Sequence, residues 1–343
     1  MMELLLDVNN LSITFESKEK TVHAVRNVSF HVNRGEVLAI VGESGCGKSV
    51  TAKSIMRLLP EKTGRIMNGS IMFDGKEITT MNKKELLKYR GDRIGMVFQD
   101  PMSSLNPTMK VGDQIAEGLM IHKGYKKKKA REKALELVRQ VRIANPVHCC
   151  TKYPHQLSGG MRQRIVIAMA LICEPDLLIA DEPTTALDVT IQAEILNLLK
   201  ELQEKMGMAI IIITHDLGVV AKFSDRVNVM YAGEIVERGT LREIFYHPQH
   251  PYTLGLLKSI PKLDHDFCEK LAVIEGSPPD LSSLPKGCAF SERCSHVMDV
   301  CDQYHPENFD QSTTHQVSCW LMDSRVSGVP GVSGESQVYS TTH

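Results

Sequence analysis

The stretch that decides the fold is Gly42-Glu43-Ser44-Gly45-Cys46-Gly47-Lys48-Ser49, which fits the pattern G-x-x-x-x-G-K-[ST]. An apolar run over residues 37–41 leads straight into it, and a helix is predicted from Val50 to Leu59. A buried strand, a glycine-rich turn and a helix together form the setting of a phosphate-binding loop. The sequence therefore predicts a site that holds the phosphates of a nucleotide.

Each part of this loop has a chemical reason. Glycines take backbone conformations closed to other residues, so several N–H groups can approach the phosphates. The N-terminus of the following helix adds free N–H groups and a positive dipole end. We expect the Lys48 ammonium to reach the β- and γ-phosphates and the Ser49 hydroxyl to bind Mg²⁺. The alternative is a glycine-rich turn with an incidental lysine, which the flanking strand and helix disfavour.

The composition of the 343-residue chain, 42% hydrophobic and 24% charged, is typical of a soluble globular protein with one large or two modest domains. Its formal net charge of −1 argues against nucleic acid as the main partner. The apolar runs are too short to span a bilayer, and no signal peptide is visible. We therefore expect a cytosolic protein, in which the nine cysteines do not form disulfides.

Strands alternate with helices in the second half of the domain, which predicts a largely parallel sheet covered on both faces. The predicted strands there are residues 177–180, 209–213 and 226–231, and the predicted helices are residues 191–205 and 217–223. The first half predicts strands at residues 4–15, 21–32 and 93–99, a hairpin at residues 69–78 and helices over residues 111–153. After about His250 proline becomes frequent, so we expect a small loop-rich unit over residues 251–323 and a disordered tail over residues 324–343.

Acidic and polar residues follow the predicted strands. Asp181 and Glu182 close one strand, at the carboxyl edge where parallel sheets place their active sites. We expect Asp181 to hold Mg²⁺ and Glu182 to act as general base on the attacking water. Gln99 and His215 end two other strands, so Gln99 can bind Mg²⁺ or the water and His215 can reach a γ-phosphate. A solvated loop and a structural histidine are the alternatives.

A second anion site is predicted at Leu157-Ser158-Gly159-Gly160-Met161, ahead of a helix over residues 162–172. A serine N-cap followed by two glycines gives an exposed helix start with free N–H groups. One nucleotide does not need two such sites, so we expect a dimer in which this turn closes over the γ-phosphate held by the other subunit. An ordinary capped helix is the alternative.

In order and setting, these motifs resemble those of the ATP-binding-cassette (ABC) ATPases over about residues 3–250. The resemblance implies an α/β fold, an ABC-type P-loop ATPase with a RecA-like core, an antiparallel β subdomain and a helical subdomain at about residues 101–160, all within a nucleotide-binding domain of residues 1–250. Met161 departs from the family, in which many members have glutamine there.

The resemblance also implies roles. Phe15 would stack on adenine, Gln99 would sense Mg²⁺ and couple to the membrane partner, and Glu182 would be the catalytic carboxylate. Asp188 would belong to the dimer contact, and His215 would be the γ-phosphate switch. The residues expected around ATP are Phe15, Gly42, Glu43, Ser44, Gly45, Cys46, Gly47, Lys48, Ser49, Val50, Ser158, Gly159, Gly160 and Asp188, and those expected around Mg²⁺ are Ser49, Gln99 and Asp181.

The C-terminal segment is similar to the extension of the oligopeptide and dipeptide (also nickel) importer ATPases, at residues 247–261, 276–279 and 287–290. Its cysteines, Cys288, Cys294, Cys301 and Cys319, are spaced C-x5-C-x6-C-x17-C, which matches no common zinc-finger pattern. Some members of this group carry a [4Fe–4S] cluster there, and such clusters are generally Cys-ligated. We expect a [4Fe–4S] cluster, with structural zinc and unliganded cysteines as alternatives.

The resemblance implies an ATP-hydrolysing subunit that powers a membrane importer for peptides, bound to the cytoplasmic face of the cell membrane. It further implies a second, different ABC ATPase chain as heterodimer partner, two integral membrane permease subunits and an extracytoplasmic peptide-binding protein. Nickel is the alternative cargo. The rival class is a soluble ABC ATPase acting on ribosomes or DNA, which the single phosphate loop and the near-neutral charge disfavour.

Overall fold

The computed structural model describes residues 3–185, 187–260 and 274–325 of the chain. The strands are β1 Leu4–Glu16, β2 Thr21–Asn33, β3 Val37–Val41, β4 Gly64–Phe73, β5 Lys76–Glu77, β6 Ile94–Val97, β7 Leu177–Asp181, β8 Ala209–Thr214, β9 Arg226–Tyr231, β10 Glu234–Thr240, β11 Phe309–Asp310 and β12 Gln316–Val317. The helices are α1 Lys48–Ile55, α2 Lys83–Leu86, α3 Pro101–Ser104, α4 Val111–His122, α5 Lys127–Gln140, α6 Pro146–Cys150, α7 Gly159–Leu171, α8 Val189–Met206, α9 Leu217–Phe223, α10 Leu241–Tyr246, α11 Pro251–Lys258 and α12 Asp299–Gln303. Within these described ranges, 3-10 turns lie at Pro154–Gln156, Ser291–Arg293 and Trp320–Met322.

The larger sheet carries the candidate site. Its strand order is β11-β12-β10-β9-β3-β8-β7-β6, and the strands from β9 to β6 are parallel. Strands β3, β7 and β8 are buried along their whole length, which explains why they read as unbroken apolar runs. The carboxyl ends of the parallel strands share one edge, and the loops leaving that edge contain the phosphate loop and the acids.

The smaller sheet is antiparallel, with strand order β2-β1-β4-β5. Its hairpin turns at Asp74 and Gly75, where φ is 50° and 72°, as the predicted Asp-Gly turn requires. Apolar side chains of this sheet, such as Leu6 and Phe30, share one core with Leu38 of the larger sheet. The smaller sheet therefore covers one face of the larger one.

Helices cover the opposite face. Residues of α4, α5, α7 and α8 form a second core with β3, β7 and β8. The periodicity of α5 is confirmed, because Ala134, Leu137 and Val138 are buried while the lysines at its start are exposed. Helices α3 to α6 fill the connection between β6 and α7.

Several predicted boundaries differ from the structure, and two of them lie beside the candidate site. Helix α1 begins at Lys48 and ends at Ile55, short of Leu59. Arg57 takes a left-handed backbone with φ of 51°, and Leu58 N–H instead donates to the Lys53 carbonyl at 2.8 Å, which ends the regular helix. Strand β6 ends at Val97, so Gln99 lies in the loop beyond it.

The C-terminal segment completes the larger sheet, which the sequence did not predict. Strand β12 pairs with β10 through Val317 opposite Glu237 and Gln316 opposite Arg238, and β11 pairs with β12. The predicted disordered tail lies outside the described residues from residue 326 onward. Within the described part of the chain, no helix combines the length and apolar character that crossing a membrane requires.

Candidate nucleotide-binding site

The loop from Gly42 to Ser49 joins β3 to α1 and takes a shape that two of its glycines make possible. A Cβ on Gly42 would lie 2.1 Å from the carbonyl oxygen of Met230, and one on Gly47 would lie 2.4 Å from that of Ala24. Any larger residue would push the loop away from β9 or β2. The predicted strand, glycine-rich turn and helix are thus all present in the structure.

Lys48 lies folded over this loop. Its ammonium donates to the carbonyl oxygens of Gly42 at 2.7 Å and Glu43 at 2.8 Å, and the residue is 4% exposed. The Cys46 thiol lies below it, and burial raises the pKa of that thiol. Ser44 and Gly45 are exposed at the tip of the loop, so its outer surface is open to a ligand.

Ser49 and Asp181 come together at the carboxyl end of β7. The Ser49 hydroxyl donates to Asp181 Oδ1 at 2.7 Å. Asp181 is 1% exposed, and burial raises its pKa. A hydroxyl and a buried carboxylate beside a phosphate loop are the oxygen donors that suit Mg²⁺, so these two residues fit the predicted metal.

Glu182 lies at the centre of a small polar network. Its Oε2 accepts a hydrogen bond from Gln99 Nε2 at 2.8 Å and another from Thr185 Oγ1 at 2.9 Å. His215 Nδ1 lies 3.6 Å from the other oxygen, Oε1. Glu182 has a left-handed backbone with φ of 47°, and its N–H donates to the Ile213 carbonyl at 2.9 Å. The fold thus gathers the three predicted catalytic residues from the ends of three neighbouring strands.

Thr185 is a part of this network that the sequence analysis missed. It follows Glu182 by three residues in a turn, and no motif singled it out. The only available signal was a hydroxyl close in sequence to the predicted base.

The Ser158 turn stands at the start of α7. Ser158 caps α7 by accepting from Met161 N–H at 3.4 Å, and Ser158 and Gly159 are exposed. A Cβ on Gly160 would lie 3.0 Å from Ile191 in the first turn of α8. Asp188 caps that helix by accepting from Ile191 N–H at 2.9 Å. Among the described residues, no hydrogen bond joins this turn to the loop from Gly42 to Ser49.

Phe15 lies near the end of β1, opposite Gly64 of β4. Its half-buried ring fills the space that a side chain at residue 64 would need, because a Cβ there would lie 2.9 Å from the ring. Since Phe15 is only half-buried, part of its ring stays accessible to a ligand. Val50 is half-buried in α1.

The four clustered cysteines come close together, but they do not form a metal site in this structure. Among the described residues, no group of three or more His, Cys, Asp or Glu side chains is arranged to hold a metal ion. Burial raises the pKa of Cys288 to about 11 and that of Cys319 to about 12. The predicted [4Fe–4S] cluster, and the alternative zinc ion, are therefore not supported here.

Comparisons with known proteins agree with this geometry. A family model described as "ABC transporter" matches residues 25–185, and one described as "Oligopeptide/dipeptide transporter, C-terminal region" matches residues 236–301. A dimeric ATP-binding cassette, MJ0796, solved in a post-hydrolysis state with ADP and Pi, is similar in fold with a TM-score of 0.62. It is 31% identical and covers 69% of this chain and 99% of its own.

Two relatives are similar over almost the whole chain. The dipeptide transport ATP-binding protein DppD of Bacillus subtilis is 56% identical over 324 residues, which is 94% of this chain and 96% of its own. The oligopeptide transport ATP-binding protein OppD of Salmonella typhimurium is 52% identical over 303 residues, 88% of this chain and 90% of its own. The chain therefore belongs to the ABC transporter ATPases, in the group of the dipeptide and oligopeptide transport ATP-binding proteins.

Proposed function

We propose that this protein binds and hydrolyses ATP to power a membrane importer for peptides. The observation that carries the proposal is the Glu182 network, because it joins the carboxylate to Gln99, Thr185 and His215 beside a phosphate loop. The names of the relatives, which refer to dipeptide and oligopeptide transport, support peptides over nickel as cargo.

Glu182 has the surroundings of a general base. Two donors, Gln99 and Thr185, hold one carboxylate oxygen, so the other oxygen keeps its lone pairs available for a proton from water. The residue is 12% exposed at its side chain, which limits competing solvent. His215 is 57% exposed at its side chain, so its ring can contact a phosphate or another subunit.

Ser49 and Asp181 would hold Mg²⁺, with Gln99 at the edge of the same site. The ion would neutralise charge on the β- and γ-phosphates when bound. Lys48 would leave its two carbonyl partners for the phosphates, and the N–H groups at the start of α1 would bind the same anion. Phe15 would stack on the adenine ring.

A second cassette would complete each ATP site. The exposed turn at Ser158 and Gly159 begins a helix of 13 residues, and it has no hydrogen bond to the phosphate loop among the described residues. Facing another subunit, its free N–H groups would reach the γ-phosphate bound there. The related cassette MJ0796 is dimeric with ADP and Pi, which supports this arrangement.

The partners follow from the importer role. We propose a heterodimer with a different ATPase chain, two integral permease subunits and an extracytoplasmic peptide-binding protein, at the cytoplasmic face of the membrane. The test is a pull-down of the tagged chain from detergent-solubilised membranes, followed by mass spectrometry. Integral membrane subunits would support transport, whereas ribosomal or DNA-bound proteins would support the rival class.

The metal at the cysteine cluster stays a hypothesis from cysteine spacing and family resemblance, without support from the side-chain arrangement. Its test is anaerobic purification followed by an absorbance spectrum and by iron, sulfide and zinc analysis. About four irons per chain with sulfide would establish a [4Fe–4S] cluster. One zinc without sulfide would establish a structural site, and neither metal would leave four thiols.

A further inference from the structure

The C-terminal extension reaches the phosphate loop through Arg293. Its Nη1 lies 2.7 Å from Glu43 Oε2, and its Nη2 lies 2.9 Å from Glu43 Oε1. The pair is bidentate, which is the strongest geometry for an arginine and a carboxylate. Only 5% of the Arg293 side chain and 26% of the Glu43 side chain are exposed, so water screens this pair little.

Arg293 is itself fixed from several sides. Its guanidinium lies 5.8 Å from the ring centre of Tyr231 and 5.9 Å from that of Phe290, and it donates to the Tyr231 hydroxyl at 3.2 Å. Its Nε donates to the Glu275 carbonyl at 2.9 Å. A side chain held by this many contacts loses little further freedom when it binds Glu43.

A second contact holds the main chain of the same loop residue. Glu43 N–H donates to the Tyr252 hydroxyl at 2.8 Å. Tyr252 is fully buried, and burial raises its pKa. Tyr252 is the second residue of α11, which begins at Pro251 after the N-cap His250. The start of the extension therefore also contacts the phosphate loop.

The cysteine cluster supports the turn that carries Arg293. That turn, Ser291–Arg293, lies between Cys288 and Cys294. Cys288 N–H donates to the Cys301 carbonyl at 2.7 Å, and a Cβ on Gly287 would lie 2.0 Å from the same oxygen. The position of Arg293 therefore depends on the close packing of Gly287 and Cys288 against Cys301.

We infer that Arg293 is a positioning residue that couples the folded C-terminal extension to nucleotide binding. It holds Glu43, and through Glu43 the outer half of the phosphate loop, in the shape that accepts the β-phosphate. The inference rests on the proposed ATPase function but not on the cargo, because it concerns the affinity for nucleotide alone. Loosening the extension should weaken nucleotide binding without altering the chemistry at Glu182.

The first experiment measures the Kd of Mg-ADP by calorimetry on the purified chain and on Arg293→Ala. We expect the Kd to rise roughly 5- to 30-fold, which lies within the range of typical couplings between two sites. In ATPase assays of the chain purified with the second ATPase chain, KM should rise by a similar factor, while kcat at saturating ATP stays within about twofold. Arg325→Ala is the matched control, since Arg325 is an exposed arginine of the extension without a bond to the loop, and it should leave Kd unchanged.

A double-mutant cycle separates positioning from general loss of structure. Glu43→Gln should raise Kd like Arg293→Ala, and adding Arg293→Ala to Glu43→Gln should raise it less than about twofold further. Arg293→Lys should restore only part of the affinity, because lysine cannot form the bidentate pair. If Arg293→Ala fails to fold, Glu43→Gln and Arg293→Lys still test the inference.

Linkage gives a readout that a merely structural residue would not affect. If the extension favours ADP binding, ADP must stabilise the extension by the same factor. Mg-ADP should therefore slow hydrogen exchange in residues 287–294 of the parent chain, but not in Glu43→Gln. An unchanged Kd in Arg293→Ala would overturn the inference. So would an Arg293→Ala effect on Kd that is as large in the Glu43→Gln variant as in the parent chain. Since the assays contain no membrane, a failed peptide-transport assay would leave their result untouched.

Discussion

At the scale of single residues, Glu182 is expected to decide the rate of hydrolysis. Glu182→Gln keeps an oxygen for Gln99 and Thr185 but removes the base, so phosphate release should fall at least about 100-fold. ATP should still bind, because Lys48, Ser49 and Asp181 are untouched. Thr185→Ala is the graded comparison, since it removes only one hydrogen bond to the carboxylate, and it should lower the rate less than about tenfold. A parental rate in Glu182→Gln would exclude Glu182 as the base.

His250 gives a pH dependence of stability. It is 1% exposed, and burial lowers its pKa from 6.5 to about 4, against a smaller raising effect of Glu237. The unfolded chain binds this proton between about pH 6.5 and pH 4 while the folded chain does not. The stabilisation is therefore complete above about pH 6.5 and is lost as the pH falls towards 4, up to roughly 3 kcal/mol in all.

The matched variant for this effect is His250→Asn. The His250 Nδ1 accepts from Tyr252 N–H at 3.0 Å, and an asparagine oxygen can replace it as helix cap without titrating. Urea unfolding from pH 7.5 to pH 4.5 should show a steeper loss of stability for the parent chain than for the variant. Equal slopes in the two proteins would show that His250 does not titrate in this way.

At the scale of elements, the buried carboxylate of Glu237 joins the extension to the core sheet. Its Oε1 accepts from Gln249 N–H and from His315 Nε2, both at 2.8 Å, and its Oε2 accepts from His250 N–H at 3.0 Å. Glu237→Ala would leave three donors unpaired, two of them buried, and should lower the free energy of unfolding by roughly 3 kcal/mol. Glu204→Ala on the exposed side of α8 is the control and should change it by less than about 0.5 kcal/mol.

Urea denaturation at neutral pH would measure both variants. A loss as small as that of the Glu204 control would mean that water or a shift of the main chain replaces the carboxylate. Glu237→Gln would then distinguish replacement by water from a shift of the main chain. Its amide oxygen can still accept from a backbone N–H, but its NH₂ group would face a second donor and could not accept a hydrogen bond from it.

The elements that the sequence predicted well are those with a local signal. Strands β3, β7 and β8 are continuous apolar runs, and the phosphate loop can be recognised from a motif of eight residues. Strands β11 and β12 have two residues each, too few for any periodicity, and β12 finds its partner about eighty residues earlier in the chain. Their place in the sheet depends on long-range contacts, which no local sequence pattern predicts.

The same distinction applies to the site. The positions of Gln99, Glu182 and His215 follow from strand ends sharing one sheet edge, which the alternation of strands and helices already indicates. Thr185 and Arg293 have no such rule. The contact of Arg293 with Glu43 joins residues 250 positions apart in the sequence, so it could be found only after folding.

At the scale of the whole molecule, the exposed Ser158 turn predicts that activity depends on a second subunit. Lys48→Ala should remove ATP binding in the chain's own loop, while Gly160→Asp should place a repulsive charge where the partner's γ-phosphate would lie. A side chain at Gly160 would also approach Ile191, since a Cβ there lies 3.0 Å from it. In a homodimer, mixing the two inactive variants would recreate one intact composite site, formed by the Gly160→Asp chain's loop and the Lys48→Ala chain's turn.

We propose a heterodimer, so mixing the two variants of this chain should restore no ATPase activity. Each variant should instead keep at most one working ATP site when purified with the different ATPase chain. Lys48→Ala damages only the site at this chain's own loop, and Gly160→Asp damages only the site at the partner's loop. The measurement is phosphate release from the separate variants, from their equimolar mixture and from each complex. Recovery of about a quarter to a half of parental activity in the mixture, as random pairing of subunits allows, would establish a homodimer. No activity in either the mixture or the parent chain alone, but activity with the second chain, would establish that the two ATP sites require two different subunits.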